Sequence, residues 1–291
     1  MIDVESTELR LPAPAKLNRL LHITGRRNDG YHELQTLFQF LDISDTLDFR
    51  RRDDGHIRLE PPLPTIAEAD NLIVRAARLL QQQSGTRYGI DIRLHKRLPI
   101  GGGLGGGSSN AATTLLALDR LWCLGLDADR LAELGLTLGA DVPVFVRGRA
   151  AWAEGVGERL QPVDDRLDQP WFLVIHPNVS IATADVFNSP ELTRDTPPIS
   201  MARALQGGVS TWRNDCESVV RTMYPSVDAA MNWLSTQAPS MLTGTGACVF
   251  AQLTSERQAD SLLARAAEHW QAFKARGCNL SPLHAALGCR N

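Results

Sequence analysis

The sequence predicts an α+β protein of two domains. Three observations carry that expectation. The first 60 residues are rich in extended, alternating segments. A glycine run, Pro99 to Ala111, lies between a strand-like stretch and a helix-like one. Beyond residue 170, strands and helices follow one another as a two-layer α+β unit requires. A chain of 291 residues, 43% of them hydrophobic, has the material for two such units.

The elements are expected in the following order. Leu17, Leu20, Leu21 and Ile23 lie in one extended run and Leu34 to Leu41 in another. Leu47, Phe49, Ile57 and Leu59 suggest a hairpin turning at Asp53-Asp54-Gly55. Asn71 to Gln83 reads as a helix, with Leu72, Ala76, Leu79 and Leu80 on one face. Tyr88, Ile90, Ile92 and Leu94 alternate as a strand. Helices are expected over Ser109–Trp122 and Leu131–Leu138. Strands are expected over Val142–Val146 and Ala150–Ala153, around Arg147-Gly148. The polar stretch Gln161 to Pro170 marks a boundary, taken between 163 and 164, giving units 1–163 and 164–291. The second unit opens with a strand at Trp171–His176 and a proline-rich loop at Ser189–Pro198. Helices follow near Ser200–Leu205, Asp215–Met223 and Ser226–Gln237. A strand at Ala247–Leu253, a helix at Glu256–Ala267 and a β-like run at Trp270–Lys274 complete it.

Composition narrows the function classes. A net charge of −3 lacks the basic footprint of a nucleic-acid-binding protein. No apolar stretch approaches a membrane span, and the N-terminus lacks the basic start and apolar core of a signal peptide. Five cysteines with no Cys-x-x-Cys pair predict reduced thiols and a cytoplasmic setting. Of thirty basic side chains only three are lysines, Lys16, Lys96 and Lys274, which singles out Lys16 in its apolar surroundings.

The glycine run points to chemistry. Six glycines among thirteen residues carry a large entropic cost on folding. Backbone N–H groups without side chains, delivered from a loop into a helix N-terminus, make an anion cradle. The P-loop of nucleoside triphosphatases is excluded, because no lysine precedes Ser108. The dinucleotide fingerprint is met by Gly101, Gly103 and Gly106, so a nicotinamide-dependent oxidoreductase is one alternative. However, Asp119 lies inside the following helix rather than at the end of a second parallel strand. A purely structural loop is another alternative, and a nucleotide-binding regulator without activity a third.

The run Pro99–Ala111 resembles the phosphate loop of the galactokinase, homoserine kinase, mevalonate kinase and phosphomevalonate kinase (GHMP kinase) superfamily. Pro14-Ala15-Lys16-Leu17-Asn18 is similar to that superfamily's first motif, and Leu242-Thr243-Gly244-Thr245-Gly246-Ala247-Cys248 to its third. Gly25–Leu34, Leu138–Phe145 and Gly277–His284 resemble one branch, the 4-diphosphocytidyl-2-C-methyl-D-erythritol kinase family. The resemblance implies a ribosomal-S5-like first domain and a ferredoxin-like second one, with the active site between them. It implies ATP-dependent phosphorylation of a hydroxyl of 4-diphosphocytidyl-2-C-methyl-D-erythritol, in non-mevalonate isoprenoid precursor biosynthesis.

The roles follow from the same resemblance. The backbone of Pro99, Gly101, Gly102, Gly103, Leu104, Gly105, Gly106, Gly107, Ser108 and Ser109 is expected at the ATP phosphates. The hydroxyls of Ser108 and Ser109 add contacts to phosphate or Mg²⁺; whether Ser109 instead caps the helix stays open. On sequence alone Asp141 is a turn aspartate and Lys16 a lysine that snorkels to solvent. In the family this aspartate takes the hydroxyl's proton and the lysine pairs with it and the moving phosphate. Asn18 shares Lys16's side of the strand by alternation and is placed near the substrate. Tyr31 and His32 are implied to clamp the cytosine, with Phe187, after Thr183, as the second stacking aromatic. Thr243, Gly244, Thr245 and Gly246 are implied to line the substrate diphosphate. His32-Glu33 is not a zinc-protease motif, because Thr36 stands where its second histidine belongs. No side chain is assigned to Mg²⁺, which commonly keeps water and nucleotide oxygens as ligands. No oligomeric state is assigned.

Overall fold

The structure, a computed structural model, describes residues 7–62, 66–163 and 166–288. The first half is led by strands β1 (Glu8–Arg26) and β2 (His32–Arg52), a long antiparallel hairpin. Strand β3 (Ile57–Leu59) and helix α1 (Leu72–Ser84) follow, then strand β4 (Gly89–His95). Helices α2 (Gly106–Leu121), α3 (Ala128–Leu136) and α4 (Val142–Arg147) precede strands β5 (Ala151–Gly155) and β6 (Arg159–Pro162).

The second half contains β7 (Trp171–His176), α5 (Thr183–Asn188), α6 (Met201–Gly207), α7 (Glu217–Met223) and α8 (Pro225–Ser235). It continues with β8 (Ser240–Leu242), β9 (Val249–Leu253), α9 (Glu256–Ala266), β10 (Gln271–Cys278) and α10 (Pro282–Ala286). Among the described residues no helix is long and apolar enough to cross a membrane.

Local chemistry explains the helix limits. Asn71 caps α1 by accepting from the Ile73 N–H at 3.0 Å, and Gly85 stops it in the left-handed conformation. Ile73, Val74, Ala76, Ala77 and Leu80 supply its buried face. Asp127 caps α3 through the Arg130 N–H at 2.7 Å.

Two expectations are corrected. Val142–Val146 is helix α4, not a strand. A short apolar run buried throughout has no period that separates the two, and Pro143 in the first turn with Gly148 as a left-handed stop selects the helix. The expected hairpin across Asp53–Gly55 does not form. Strand β4 takes the edge of β2, from Thr46↔His95 to Arg52↔Gly89, and β3 then pairs with β4 in parallel. Alternation identifies a strand and its faces but not its partner.

Strand β2 also pairs β5 near its start and two residues of β10 near its middle. Through β10 the pairing runs on to β7, β9 and β8, all antiparallel. The two halves are thus stitched by hydrogen bonds as well as by a shared core of Ala15, Leu17, Leu41, Leu104, Phe172, Val174 and Phe250. The tail of the chain returns to the first half, where Leu283 and Leu287 join its core.

This junction decides where polar residues can be held. At its start β1 alternates, with Leu9 and Leu11 buried and Arg10 exposed. From Ala13 to Ile23 every residue is buried, because both faces of the strand are covered. Lys16 and Asn18 lie in that enclosed stretch.

Candidate active site

Burying an ammonium costs several kcal/mol unless it is fully partnered. The Lys16 side chain is 3% exposed and has three partners. Its Nζ donates to Asn18 Oδ1 and to the Gly103 carbonyl at 3.0 Å, and it lies 3.3 Å from Asp141 Oδ2. That uses all three N–H donors of the group. The Phe38 ring lies 5.5 Å from Nζ and closes another side. Asp141 stands at the start of α4 but its side chain does not cap that helix. Its carboxylate is 34% exposed and borders the cleft, so it is both paired and accessible.

The glycine run divides into two parts. From Gly101 to Leu104 the carbonyls are tied to the scaffold. Gly101 and Gly102 accept from the Ala247 and Cys248 N–H groups at 3.1 Å. Leu104 accepts from the Lys16 N–H at 3.0 Å, and Gly103 accepts from Lys16 Nζ and from Thr243 Oγ1 at 3.3 Å. A trans peptide turns the next N–H the opposite way, so this anchoring presents donors away from the scaffold.

The second part is the start of α2. Gly105 takes the helix N-cap position in the left-handed conformation, φ +71°, and the first intrahelical bond runs from the Ser109 N–H to the Gly105 carbonyl at 2.8 Å. The N–H groups of Gly106, Gly107 and Ser108 therefore have no intrahelical acceptor, and they border the cleft. Anions bind there readily. Ser109 is corrected on both readings. It sits inside the helix rather than at the cap, its N–H is spent, and its fully enclosed Oγ has no partner among the described residues.

Gly103 shows how closely the halves meet. Its φ is +72°, and a Cβ there would come 2.2 Å from the Thr243 carbonyl and 2.9 Å from that of Gly246. Gly103→Ala is expected to destabilise the fold by about 2–5 kcal/mol, combining left-handed backbone cost and overpacking. For a protein this size that lowers Tm by about 5–15 °C. An unchanged melting curve would show that the two backbones do not meet so tightly.

One cleft of about 490 Å³ joins these parts. Lys16, Asn18, Pro99, Gly101 to Ser108 and Asp141 line it, together with Thr183, Phe187, Gly244 and Thr245. Thr183 and Thr245 share a hydrogen bond of 3.1 Å across the far wall. Thr243 is enclosed and holds the wall rather than facing the cleft. Its hydroxyl accepts from the Asn18 N–H at 3.1 Å and donates to Gly103. Gly246 likewise lies behind the lining.

Tyr31 and His32 are not part of that lining. Tyr31 is 63% exposed at the turn between β1 and β2. The buried His32 stacks on Phe187 with ring centroids 4.9 Å apart. Burial first, then the charges of Arg194 and Arg26, lower the His32 pKa and keep the ring neutral.

Several residues escaped the sequence reading. Asp45 is fully buried and accepts from the Arg97 and Leu98 N–H groups and from Lys96 Nζ, each at 2.8 Å, and from Asn110 Nδ2 at 3.2 Å. It fixes the approach to the glycine run and aims Lys96 at the cleft beside Gly106. Asn71 and Leu72, at the start of α1, close that end of the cleft. Asn214 Nδ2 donates to the Leu242 and Gly244 carbonyls and supports the far wall from behind. The rarity of lysine carried a signal for Lys96 and the helix start one for Asn71 and Leu72; Asp45 and Asn214 depend on which elements the fold brings together.

A cleft between two α+β halves, floored by an anchored glycine loop and walled by a lysine–aspartate pair, is the arrangement of a GHMP kinase. Residues 71–149 match the family of GHMP kinases N-terminal domains, and residues 201–272 that of GHMP kinases C-terminal domains. The chain belongs to the 4-diphosphocytidyl-2-C-methyl-D-erythritol kinase family. It is 70% identical over 283 residues to the enzyme of that name from Chromohalobacter salexigens, covering 96% of this chain and 94% of the relative. The Pseudomonas aeruginosa enzyme is 56% identical over 282 residues, 97% and 98% of the two chains. A crystal structure of 4-(cytidine 5'-diphospho)-2C-methyl-D-erythritol kinase superposes with a TM-score of 0.81 at 31% identity, covering 92% of this chain and 99% of that one. L. major mevalonate kinase shares the fold at 15% identity, with a TM-score of 0.71 over 97% and 99% of the chains.

Proposed function

We propose that this protein transfers the γ-phosphoryl group of ATP to a hydroxyl of 4-diphosphocytidyl-2-C-methyl-D-erythritol, a step of non-mevalonate isoprenoid precursor synthesis. The family membership supports the reaction and its small-molecule substrate. The observation that supports the roles is the Lys16–Asp141 pair, 3.3 Å apart beside the free N–H groups at the start of α2. The nucleotide phosphates lie on Gly106, Gly107 and Ser108, with the base toward Asn71, Leu72 and Lys96. The acceptor hydroxyl sits by Asp141, on the side of Thr183 and Thr245. The hydroxyl oxygen attacks the γ-phosphorus, its proton passes to an Asp141 oxygen, the bond to the bridging β-oxygen breaks, and ADP leaves. Lys16 aims the Asp141 carboxylate and offsets the charge on the moving phosphate.

Mg²⁺ fits this donor set. Among the described residues no three acidic, histidine or cysteine side chains converge, and Ser108 is the hydroxyl at the phosphate end of the cleft. The ion would take phosphate and water oxygens with that hydroxyl, and would neutralise phosphate charge. We place the enzyme in the cytoplasm, where its thiols stay reduced. The four described cysteines are unpaired.

A coupled assay of ADP release with ATP, Mg²⁺ and the cytidine substrate tests the reading, with mevalonate and galactose as controls. Turnover of a control in preference to the cytidine compound would overturn it. In this reading the exposed Tyr31 stacks on the cytosine, which is worth about 1–3 kcal/mol per base. Tyr31→Ala is therefore expected to raise the KM for that substrate about 5- to 150-fold with kcat little changed. An unaltered KM would move the base elsewhere.

A further inference from the structure

We propose that Arg194 is a positioning residue for base selection: it holds His32 in the tautomer with the proton on Nδ1, so that the site takes cytosine rather than uracil. The inference rests on the reading above that Tyr31, His32 and Phe187 form the base site.

The geometry is specific. Arg194 Nε donates to His32 Nε2 at 3.1 Å. A guanidinium has donors and no acceptor, so His32 Nε2 must present its lone pair. A neutral imidazole accepting at Nε2 carries its proton on Nδ1. That Nδ1 bonds to no described residue, which leaves one N–H for a ligand on an otherwise enclosed ring.

The rest of the Arg194 head group is fully used on the neighbouring loop. One terminal nitrogen donates to the Leu192 carbonyl at 3.0 Å, and the other to the carbonyls of Phe187 at 2.9 Å and Ser189 at 2.7 Å. Arg194 thus ties the histidine from β2 to the segment that carries Phe187, while Phe187 stacks on that histidine. Both parts of the base site are set by a single cation.

Selectivity follows from the donor. Cytosine presents a lone pair at N3, whereas uracil presents an N–H there. A fixed imidazole N–H satisfies the first and opposes the second, and an unmatched buried donor pair costs about 1–3 kcal/mol. A histidine free to exchange tautomers would lose most of that discrimination.

Two substitutions separate this role from simple stapling of the loop. Arg194→Gln places an amide nitrogen where Nε stands, so it keeps the donor to His32 but loses the three bonds to the loop carbonyls. Arg194→Met has no donor. The full-length protein is assayed with the cytidine substrate and its uridine counterpart, and the imidazole nitrogens of His32 are read by ¹⁵N NMR. The expected result is a protonated Nδ1 in the parent protein and in Arg194→Gln, with preference for cytidine retained. Arg194→Met should show mixed tautomers and a preference lowered at least tenfold, through KM rather than kcat. Equal selectivity in Arg194→Met and the parent, or a protonated Nε2 in the parent, would overturn the inference. So would equal losses in both variants, which mark a loop staple only. The underlying base-site reading fails separately, if Tyr31→Ala leaves the cytidine KM unchanged.

Discussion

Replacing Asp141 by asparagine should lower turnover by about 10²- to 10⁴-fold, the range for a general base, while ATP binding stays within a few-fold. Asparagine keeps the shape and cannot take the proton. Nothing else need collapse, because the carboxylate does not cap α4 and is one-third exposed. The nucleotide would still meet the N–H groups of Gly106, Gly107 and Ser108, which do not depend on Asp141. The surviving activity should be measurable. Positioning can supply up to about 7–11 kcal/mol in such reactions, and that share does not need the base. Single-turnover kinetics beside calorimetry with a non-hydrolysable ATP analogue decides the matter. A folded variant that no longer binds nucleotide would show that Asp141 serves the phosphates and not the acceptor.

How much of this was legible in the sequence depended on range. Glycines 101 to 107 announced a phosphate cradle because their cost on folding needs a reason, and the structure places that run on the cleft floor. The α1 cap at Asn71 and the buried face of that helix were equally local. Where the signal was local but ambiguous, the reading failed. Val142–Val146 is apolar on every side, so only Pro143 and Gly148 spoke for a helix. The cap role left open for Ser109 fails because the helix begins at Gly106, earlier than its polar residues suggest. Gly106 and Gly107 are poor helix formers, yet they supply its first turn.

Where the information was in strand pairing, composition was silent. Asp45 collects four donors from a strand end, a loop and α2 that no window of sequence brings together. The same holds for the placement of β4 between β2 and β3, and for Arg194, which reaches His32 from the proline-rich loop. The Lys16–Asp141 pair was visible only through family resemblance. Physics then accounts for it: a strand buried on both faces cannot hold an ammonium without partners, and α4 brings a carboxylate to it.

Lys16→Met should cost more than the loss of Asp141, lowering kcat by about 10³- to 10⁵-fold, as removal of a cation at the transferring phosphate does elsewhere. The lysine has two tasks that the aspartate lacks. In the proposed reaction it offsets charge on the moving phosphoryl group, and in the structure it holds the Gly103 carbonyl and Asn18 in place. Its loss therefore loosens the floor of the cleft, and ATP affinity should fall with turnover. Lys16→Arg should not rescue. The lysine Cε already lies 3.1 Å from where a Cβ on Gly105 would stand, with the Phe38 ring close by, so a forked head group has no room. The double variant Lys16→Met, Asp141→Asn distinguishes a working pair from two independent residues. If the lysine acts partly by holding the aspartate in place, the second substitution adds far less than its separate cost. Losses that simply multiply would mean the 3.3 Å contact carries no catalytic coupling.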